Sequence, residues 1–174
     1  MTRVPATGEP GLTHVGADGT PRIVDVSAKP ETARSATASG RIRMAPATLD
    51  AIVRQTGPKG DVLSVARLAG LQAAKRTSDL IPLCHPLVLD AVEVTCEPDP
   101  ALPGVVVRAV VRTTGRTGVE MEALTCVAAA LLTVYDMAKA LDREMVIDGI
   151  ALDEKTGGRR GPWRRDRAGR DASP

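Results

Sequence analysis

Alternation of apolar and polar residues predicts several strands in this chain. It is clearest at 89–97, where Val92, Val94 and Cys96 are separated by single polar residues, the period of a half-buried strand. Further extended segments are predicted, in chain order, at 22–26, 35–44, 105–114 and 145–152. The segments 89–97 and 105–114 are joined by a loop with proline and glycine, so we expect them to pair as a hairpin.

Apolar residues three and four positions apart predict helices between these strands. Pro46 suits the first turn of a helix to about 56, and Asp61 fits the N-cap of a second helix to about 77. The longest helix is predicted at 119–142, with one apolar stripe along it. From 35 onward the order is strand, two short helices, two strands, helix and strand, a split βαβ pattern. The predicted fold class is α+β, an antiparallel sheet packed on helices with an extra N-terminal strand.

Length and charge indicate the domain organisation. A chain of 174 residues predicts one domain, which we place at 22–161, between a loose lead-in at 1–21 and a basic tail at 162–174 that we expect to be disordered. The net charge of +2 hides a charge of +5 over 155–174, so the rest of the chain is near −3 and is not basic. One Trp, one Tyr and no Phe also leave almost no surface for stacking nucleic-acid bases.

Cysteine content and hydropathy indicate the compartment. The three cysteines include no CxxC pair, and the amino terminus shows no signal-peptide pattern. The longest apolar stretch, 126–132, is far short of the roughly 18 residues of a membrane span. Cys84 and His85 are adjacent but have no further metal ligands spaced nearby, so no zinc site is predicted. We expect a cytoplasmic protein without a membrane segment or a metal centre.

The scarcity of lysine points to a few candidate catalytic amines. Arginine outnumbers lysine 18 to 5, and lysine can lose its proton in a desolvated site whereas arginine cannot, so sites of proton transfer keep lysine. Asp136 and Lys139 lie three residues apart on the predicted long helix and share a face. They are either a surface ion pair of little energetic consequence or a carboxylate that positions an active amine. The residues alone leave both interpretations open.

Three further segments carry candidate binding groups. Glu120 and Glu122 begin the long helix, where they either complement the helix dipole or face one pocket. A loop stiffened by a proline on each side presents His85, a residue suited to binding or acid–base work. The segment 155–161 combines glycines with Lys155 and further cations, a composition suited to phosphate oxygens.

Six motifs taken together resemble the family of cyclic pyranopterin monophosphate synthases, also called the molybdenum cofactor biosynthesis protein C family. In chain order they are DVSAK at 25–29, KGDV at 59–62, AGLQAAKRT at 69–77, LIPLCHPL at 80–87, TGVEMEAL at 117–124 and YDMAKA at 135–140. The resemblance spans about 12 to 161. Six motifs in one order are far more specific than any of them alone.

The resemblance implies an activity, a fold and an assembly. It implies a lyase that converts 3′,8-cyclo-7,8-dihydro-GTP, the product of a radical S-adenosylmethionine enzyme, into cyclic pyranopterin monophosphate with release of pyrophosphate. It implies a ferredoxin-like fold and a homohexamer, a trimer of dimers with sites at the dimer interface. The protein would require no cofactor, although a divalent ion could accompany the triphosphate without any cluster of protein ligands.

The resemblance also assigns site residues. Asp136 matches the family's active-site aspartate, and Lys59 and Lys139 match its essential lysines, which we expect to trade protons while the purine ring is rebuilt as a pterin. Its substrate-binding segments are matched by Leu83, Cys84, His85, Met121 and Glu122. Charged positions that line the family's pocket are matched by Asp25, Arg34, Glu120 and Lys155, and we expect Arg34 and Lys155 to meet phosphates.

Two functions of other classes are weighed against this one. The order βαββαβ is also an RNA-binding topology, but the shortage of aromatic residues and the charge near −3 outside the tail disfavour an RNA-binding module. A catalytically silent scaffold is the other alternative. The presence of Lys59, Asp136 and Lys139 together argues against it.

Overall fold

The computed structural model describes residues 14–15, 18–159 and 161–166. It is an open five-stranded antiparallel sheet in the order β2-β3-β1-β4-β5, with helices packed against it. The strands are β1 (Thr32–Arg43), β2 (Ala91–Asp99), β3 (Gly104–Gly115), β4 (Val146–Thr156) and β5 (Trp163–Arg164). The helices are α1 (Pro46–Val53), α2 (Val62–Ala74), α3 (Thr77–Leu80) and α4 (Glu120–Ala138). The predicted α+β, ferredoxin-like fold is confirmed.

The fifth strand lies at the carboxyl end of the chain. The segment predicted as extended at 22–26 forms no strand, whereas Trp163 pairs with Lys155 and Arg164 with Glu154 along β4. An edge strand presents unpaired backbone groups, and β5 covers part of that edge. Residues 163–164 are therefore a strand where a disordered tail was predicted. The rest of the expected lead-in (1–13 and 16–17) and of the tail (from 167) lies outside the described residues.

Helix ends follow the predicted capping signals at the amino side more closely than at the carboxyl side. The Asp61 side chain accepts the backbone N–H of Ser64 at 3.0 Å, which confirms it as the N-cap of α2. The second helix ends at Ala74, earlier than predicted, because the Thr77 hydroxyl donates to the Ala74 carbonyl and begins the separate turn α3. Likewise α4 ends at Ala138 rather than 142.

The core lies between α4 and the alternating buried residues of β1 and β3. Ile42, Val107 and Leu131 are fully buried there. Close approach of α4 requires a glycine, since a Cβ at Gly40 would lie 2.9 Å from Leu131 Cδ1. By length and composition α4 could cross a membrane, but half of its most apolar stretch is buried inside the fold. It is the central core helix, and its two ends carry the groups described next.

Candidate active site

A cavity of about 790 Å³ opens at the amino end of α4. Its walls come from the segment before β1, the loop between two prolines, the turn into α4 and the glycine-rich end of β4. Eight of the nine predicted substrate-binding residues line it, namely Arg34, Leu83, Cys84, His85, Glu120, Met121, Glu122 and Lys155. Residues that are far apart in the sequence therefore share one cavity.

Asp25 is the predicted binding residue that does not line the cavity. Its exposed carboxylate accepts the backbone N–H of Ser27 at 2.8 Å, a contact that lowers its pKa. The residues on either side, Val24 and Val26, do line the cavity. Asp25 thus shapes the turn that brings its neighbours to the wall.

Among the residues that the structure describes, five cations line the cavity, and three of them were not assigned as site residues. Lys29, Arg116 and Arg159 join Arg34 and Lys155 in the lining. Lys29 and Arg159 lie within segments that the sequence had singled out and Arg116 directly precedes one, but only the fold shows that these segments meet. In the part of the chain that the structure describes, no group of three or more His, Cys, Asp or Glu is placed to hold a metal ion. The cavity is suited to an anion with several negative charges.

Arg34 is held in a fixed orientation. Its Nε donates to the Gly115 carbonyl at 2.8 Å and its Nη2 donates to the Arg116 carbonyl at 3.1 Å. The loop at Gly157 packs against the same side chain, since a Cβ there would lie 3.0 Å from Arg34 Cγ. The guanidinium is therefore positioned before any ligand binds, which favours bidentate contact with phosphate oxygens.

Two carboxyl groups from the first turn of α4 line the cavity, a position in which they can also complement the helix dipole. Glu120 pairs with Lys155 at 3.1 Å. Glu122 is only 4% exposed, and burial, with the neighbouring charge of Glu120, raises the pKa of its carboxyl. Burial and the charge of Glu122 also raise the pKa of the Cys84 thiol. Cys84 is therefore held as a thiol rather than a thiolate, whereas Glu122 can keep a proton at a higher pH than an ordinary glutamate.

The three predicted catalytic residues form a second group, the Asp136 cluster (Lys59, Asp136 and Lys139). One carboxylate oxygen of Asp136 lies 2.7 Å from Lys139 Nζ and the other lies 2.8 Å from Lys59 Nζ. Lys59 Nζ also donates to the Asp136 backbone carbonyl at 3.0 Å. The hydrogen bonds from Lys139 and then Lys59 lower the pKa of Asp136 to about 2. Asp136 is therefore a permanent carboxylate that holds two amines side by side.

The Asp136 cluster and the cavity lie at opposite ends of α4. Glu120 begins the helix and Asp136 is near its end, so 16 residues, or about 24 Å at 1.5 Å per residue, separate them. None of the three cluster residues belongs to the cavity lining. A single chain therefore does not bring the predicted catalytic residues to the predicted substrate-binding residues.

Comparison with known proteins agrees with the motifs. The model of the MoaC family matches residues 23–158. A protein of Methylobacterium sp. (strain 4-46) named cyclic pyranopterin monophosphate synthase is 60% identical over 157 residues, which cover 90% of this chain and 98% of that protein. Proteins of the same name from Methylobacterium nodulans and Brucella ovis are 60% and 57% identical over 152 residues, 87% of this chain and 95% and 92% of theirs. This chain belongs to the MoaC family.

Proposed function

We propose that this protein is a cyclic pyranopterin monophosphate synthase, a lyase of molybdenum cofactor biosynthesis. It converts 3′,8-cyclo-7,8-dihydro-GTP into cyclic pyranopterin monophosphate and releases pyrophosphate. The observation that carries the proposal is the cavity at the amino end of α4, which combines five cations with a buried carboxyl group. Such a cavity fits a substrate with a triphosphate at one end and a ring that exchanges protons at the other.

The cations of the cavity hold the triphosphate. Arg34, fixed by two backbone carbonyls, presents a planar set of N–H donors. The Lys155 ammonium, which pairs with Glu120 when no ligand is bound, contacts a phosphate in its place when the substrate binds. Glu122 is buried and has a raised pKa, so it can donate a hydrogen bond to the ring part of the substrate. The cavity thereby distinguishes the two ends of the nucleotide.

The Asp136 cluster supplies protons. Rebuilding the purine as a pterin and closing a cyclic phosphate break and form several bonds to nitrogen and oxygen, and these steps require proton transfers. Lys59 Nζ and Lys139 Nζ lie 2.8 Å and 2.7 Å from the Asp136 carboxylate, so both amines are positioned to act first as acids. Each amine can take up a proton in a later step, after it has given one away. Asp136 keeps both amines within reach of the same atoms.

A second copy of the chain would join the Asp136 cluster to the cavity. One stripe along α4 consists of residues spaced four, three, four and four positions apart, namely Met121, Thr125, Ala128, Leu132 and Asp136. Every residue of this stripe is at least partly exposed, and Leu132 is 61% exposed. If the stripes of two copies pack antiparallel about Ala128, the Asp136 cluster of each copy meets the cavity of the other. The small side chain of Ala128 permits that approach.

The assembly and pathway follow from the same proposal. We expect two complete sites per dimer and, in keeping with the family resemblance, a homohexamer built as a trimer of dimers. A radical S-adenosylmethionine enzyme would supply the substrate, and we place the reaction in the cytoplasm. No nucleic acid or membrane takes part.

The experiment is turnover of enzymatically prepared 3′,8-cyclo-7,8-dihydro-GTP, followed as pterin formation and pyrophosphate release. Wild type should form both products in equal amounts, and Lys59→Ala and Lys139→Ala should form neither. Arg54→Ala is the matched control, because Arg54 is an exposed cation paired with Asp50 on α1, outside both groups. A folded, oligomeric wild type that makes no pterin would refute the proposal, as would two active lysine variants.

A further inference from the structure

One cation of the cavity already has a counterion inside the cavity. Lys155 Nζ lies 3.1 Å from Glu120 Oε1, and the two side chains are only 26% and 30% exposed. By contrast, Arg112 and Glu93, which pair on the sheet surface, are 50% and 62% exposed. A partly buried ion pair is screened by water and salt less than a surface pair. An anion that reaches Lys155 must therefore disturb a contact that is stronger than an ordinary surface ion pair.

The Glu120 carboxylate lies directly against the backbone of Gly118. A Cβ at Gly118 would overlap Glu120 Oε2 and lie 2.7 Å from Glu120 Cδ, and the three nearest atoms all belong to this carboxylate. The φ of Gly118 is not positive, so an alanine at this position would have no left-handed backbone strain. The side chain is missing at Gly118 because the carboxylate of Glu120 occupies the space that a Cβ would fill.

We propose that Glu120, held in place by Gly118, competes with pyrophosphate for Lys155 and so lowers the affinity of the cavity for this product. Gly118 is then a positioning residue, which acts through Glu120. The identity of the anion rests on the proposed function. The competition itself rests only on the contacts among Gly118, Glu120 and Lys155.

The charges of the lining explain why Glu120 is the group that competes. Among the described cations of the lining, only Lys155 pairs with a carboxylate of the same lining. A phosphate binds Lys155 either after the pair has opened or beside the negative charge of Glu120, and both routes lower its affinity. Glu122 is the other carboxyl group of the described lining. Burial raises its pKa, so Glu122 opposes an anion less than Glu120 does.

The competition affects product more than substrate. The substrate has a ring that makes further contacts with the cavity, and these contacts offset the affinity lost at Lys155. Pyrophosphate binds through its charges alone, so the same loss makes it a weak ligand. The Glu120–Lys155 pair re-forms when pyrophosphate leaves, which favours release after each turnover.

The test is calorimetric titration of the full-length, oligomeric enzyme with pyrophosphate at constant ionic strength. Glu120→Gln keeps the size of the side chain and removes its charge, so it should lower the Kd of pyrophosphate about fivefold. Glu93→Gln is the matched control, because it changes the net charge equally but lies outside the cavity lining, and its Kd should equal that of wild type. An unchanged or higher Kd in Glu120→Gln, equal gains in the two variants, or no binding to any of these proteins would overturn the proposal.

Gly118→Ala tests the positioning role. Its methyl group should push the Glu120 carboxylate away from Lys155, so this variant should also bind pyrophosphate about fivefold more tightly than wild type. The double variant Gly118→Ala/Glu120→Gln should bind no more tightly than Glu120→Gln, because the competing charge is already absent. Damage to the fold would weaken binding instead. An unchanged or higher Kd in Gly118→Ala, or a further gain in the double variant, would overturn the role of Gly118.

Turnover tests the proposed function separately from this inference. If the wild type forms pterin but Glu120→Gln binds pyrophosphate no more tightly, the proposed function stands and the competition is refuted. If the wild type forms no pterin, the proposed function is refuted. Tighter binding of pyrophosphate by Glu120→Gln would even then show that Glu120 competes with an anion for Lys155.

Discussion

Gly157 lies where the loop after β4 crosses the backbone of β1. Its φ is +83°, a left-handed conformation, and a Cβ there would overlap the carbonyl oxygen of Ala33 and lie 3.0 Å from Arg34 Cγ. Gly161 shares the left-handed φ, at +66°, but a Cβ there would meet nothing within 4 Å. The pair Gly157→Ala and Gly161→Ala therefore separates backbone strain from displacement of the strand that carries Arg34.

The expected losses of unfolding free energy follow from these two contributions, the left-handed backbone and the steric overlap. A non-glycine residue in the left-handed region costs about 1 to 2 kcal/mol, and this is the whole expected loss of unfolding free energy for Gly161→Ala. In Gly157→Ala the clash is with a backbone oxygen, which no side-chain rotation can relieve, so overpacking adds about 1 to 3 kcal/mol. At about 2 to 4 °C per kcal/mol for a domain of this size, the Tm of Gly157→Ala should lie several degrees below that of Gly161→Ala.

Thermal unfolding at one protein concentration and steady-state kinetics test this reasoning. Displacement of β1 moves the Arg34 guanidinium away from the Gly115 and Arg116 carbonyls, so Gly157→Ala should also raise KM for the cyclised GTP substrate by about tenfold or more. Gly161→Ala should leave KM unchanged. Equal losses of Tm in the two variants, or a normal KM in Gly157→Ala, would refute the role given to this contact.

Three further predictions concern the core and two carboxyl groups. In urea, Leu131→Ala should lose about 2 to 5 kcal/mol of unfolding free energy because Leu131 is fully buried, whereas Leu68→Ala, at an exposed position, should lose less than about 0.5 kcal/mol. In 13C NMR, Asp136 should titrate with a pKa near 2, below the ordinary aspartate pKa of 3.8. Lys139→Met should raise the pKa of Asp136, because the hydrogen bond from Lys139 lowers it most. The stabilisation of the fold by this carboxylate is present above pH 3.8 and is lost as the pH falls through about 2. Glu122→Gln should gain stability relative to wild type as the pH rises above 4.5, since ionisation of a carboxyl whose pKa is raised in the folded state disfavours folding; a stability difference that does not change with pH would contradict this.

Local sequence patterns predicted most of the helices and strands, because these patterns reflect interactions between residues that are close together in the chain. The alternation around Val94 marks one buried face of β2, and the side chain of Asp61 caps a helix only three residues away. The strand β5 has two residues, too few to show any period, and it depends on the free edge of β4. The extended segment at 22–26 has a strand-like composition, but its backbone is used for turns and for the contact of Val24 with His85.

The candidate site was predicted in its parts but not in its arrangement. Motifs identified separate segments, and Lys29, Arg116 and Arg159 meet in one cavity only because β1, β3 and β4 are neighbours in the sheet. Conversely, one helix separates Glu120 from Asp136 by about 24 Å, a distance that the sequence motifs do not show. Long-range placement of this kind depends on sheet order and on contacts between copies, neither of which leaves a local signal.

Complementation between two inactive variants tests most directly whether the active site is shared between copies. Lys139→Ala damages the Asp136 cluster and Lys155→Ala damages the cavity, and each alone should be inactive. Co-expressed with different tags, they form mixed dimers in which one site receives both defects and the other receives neither. With random pairing, turnover should recover to about one quarter of wild type. If mixed dimers form and activity stays at the level of the parents, the two groups do not meet across copies, and the account is wrong.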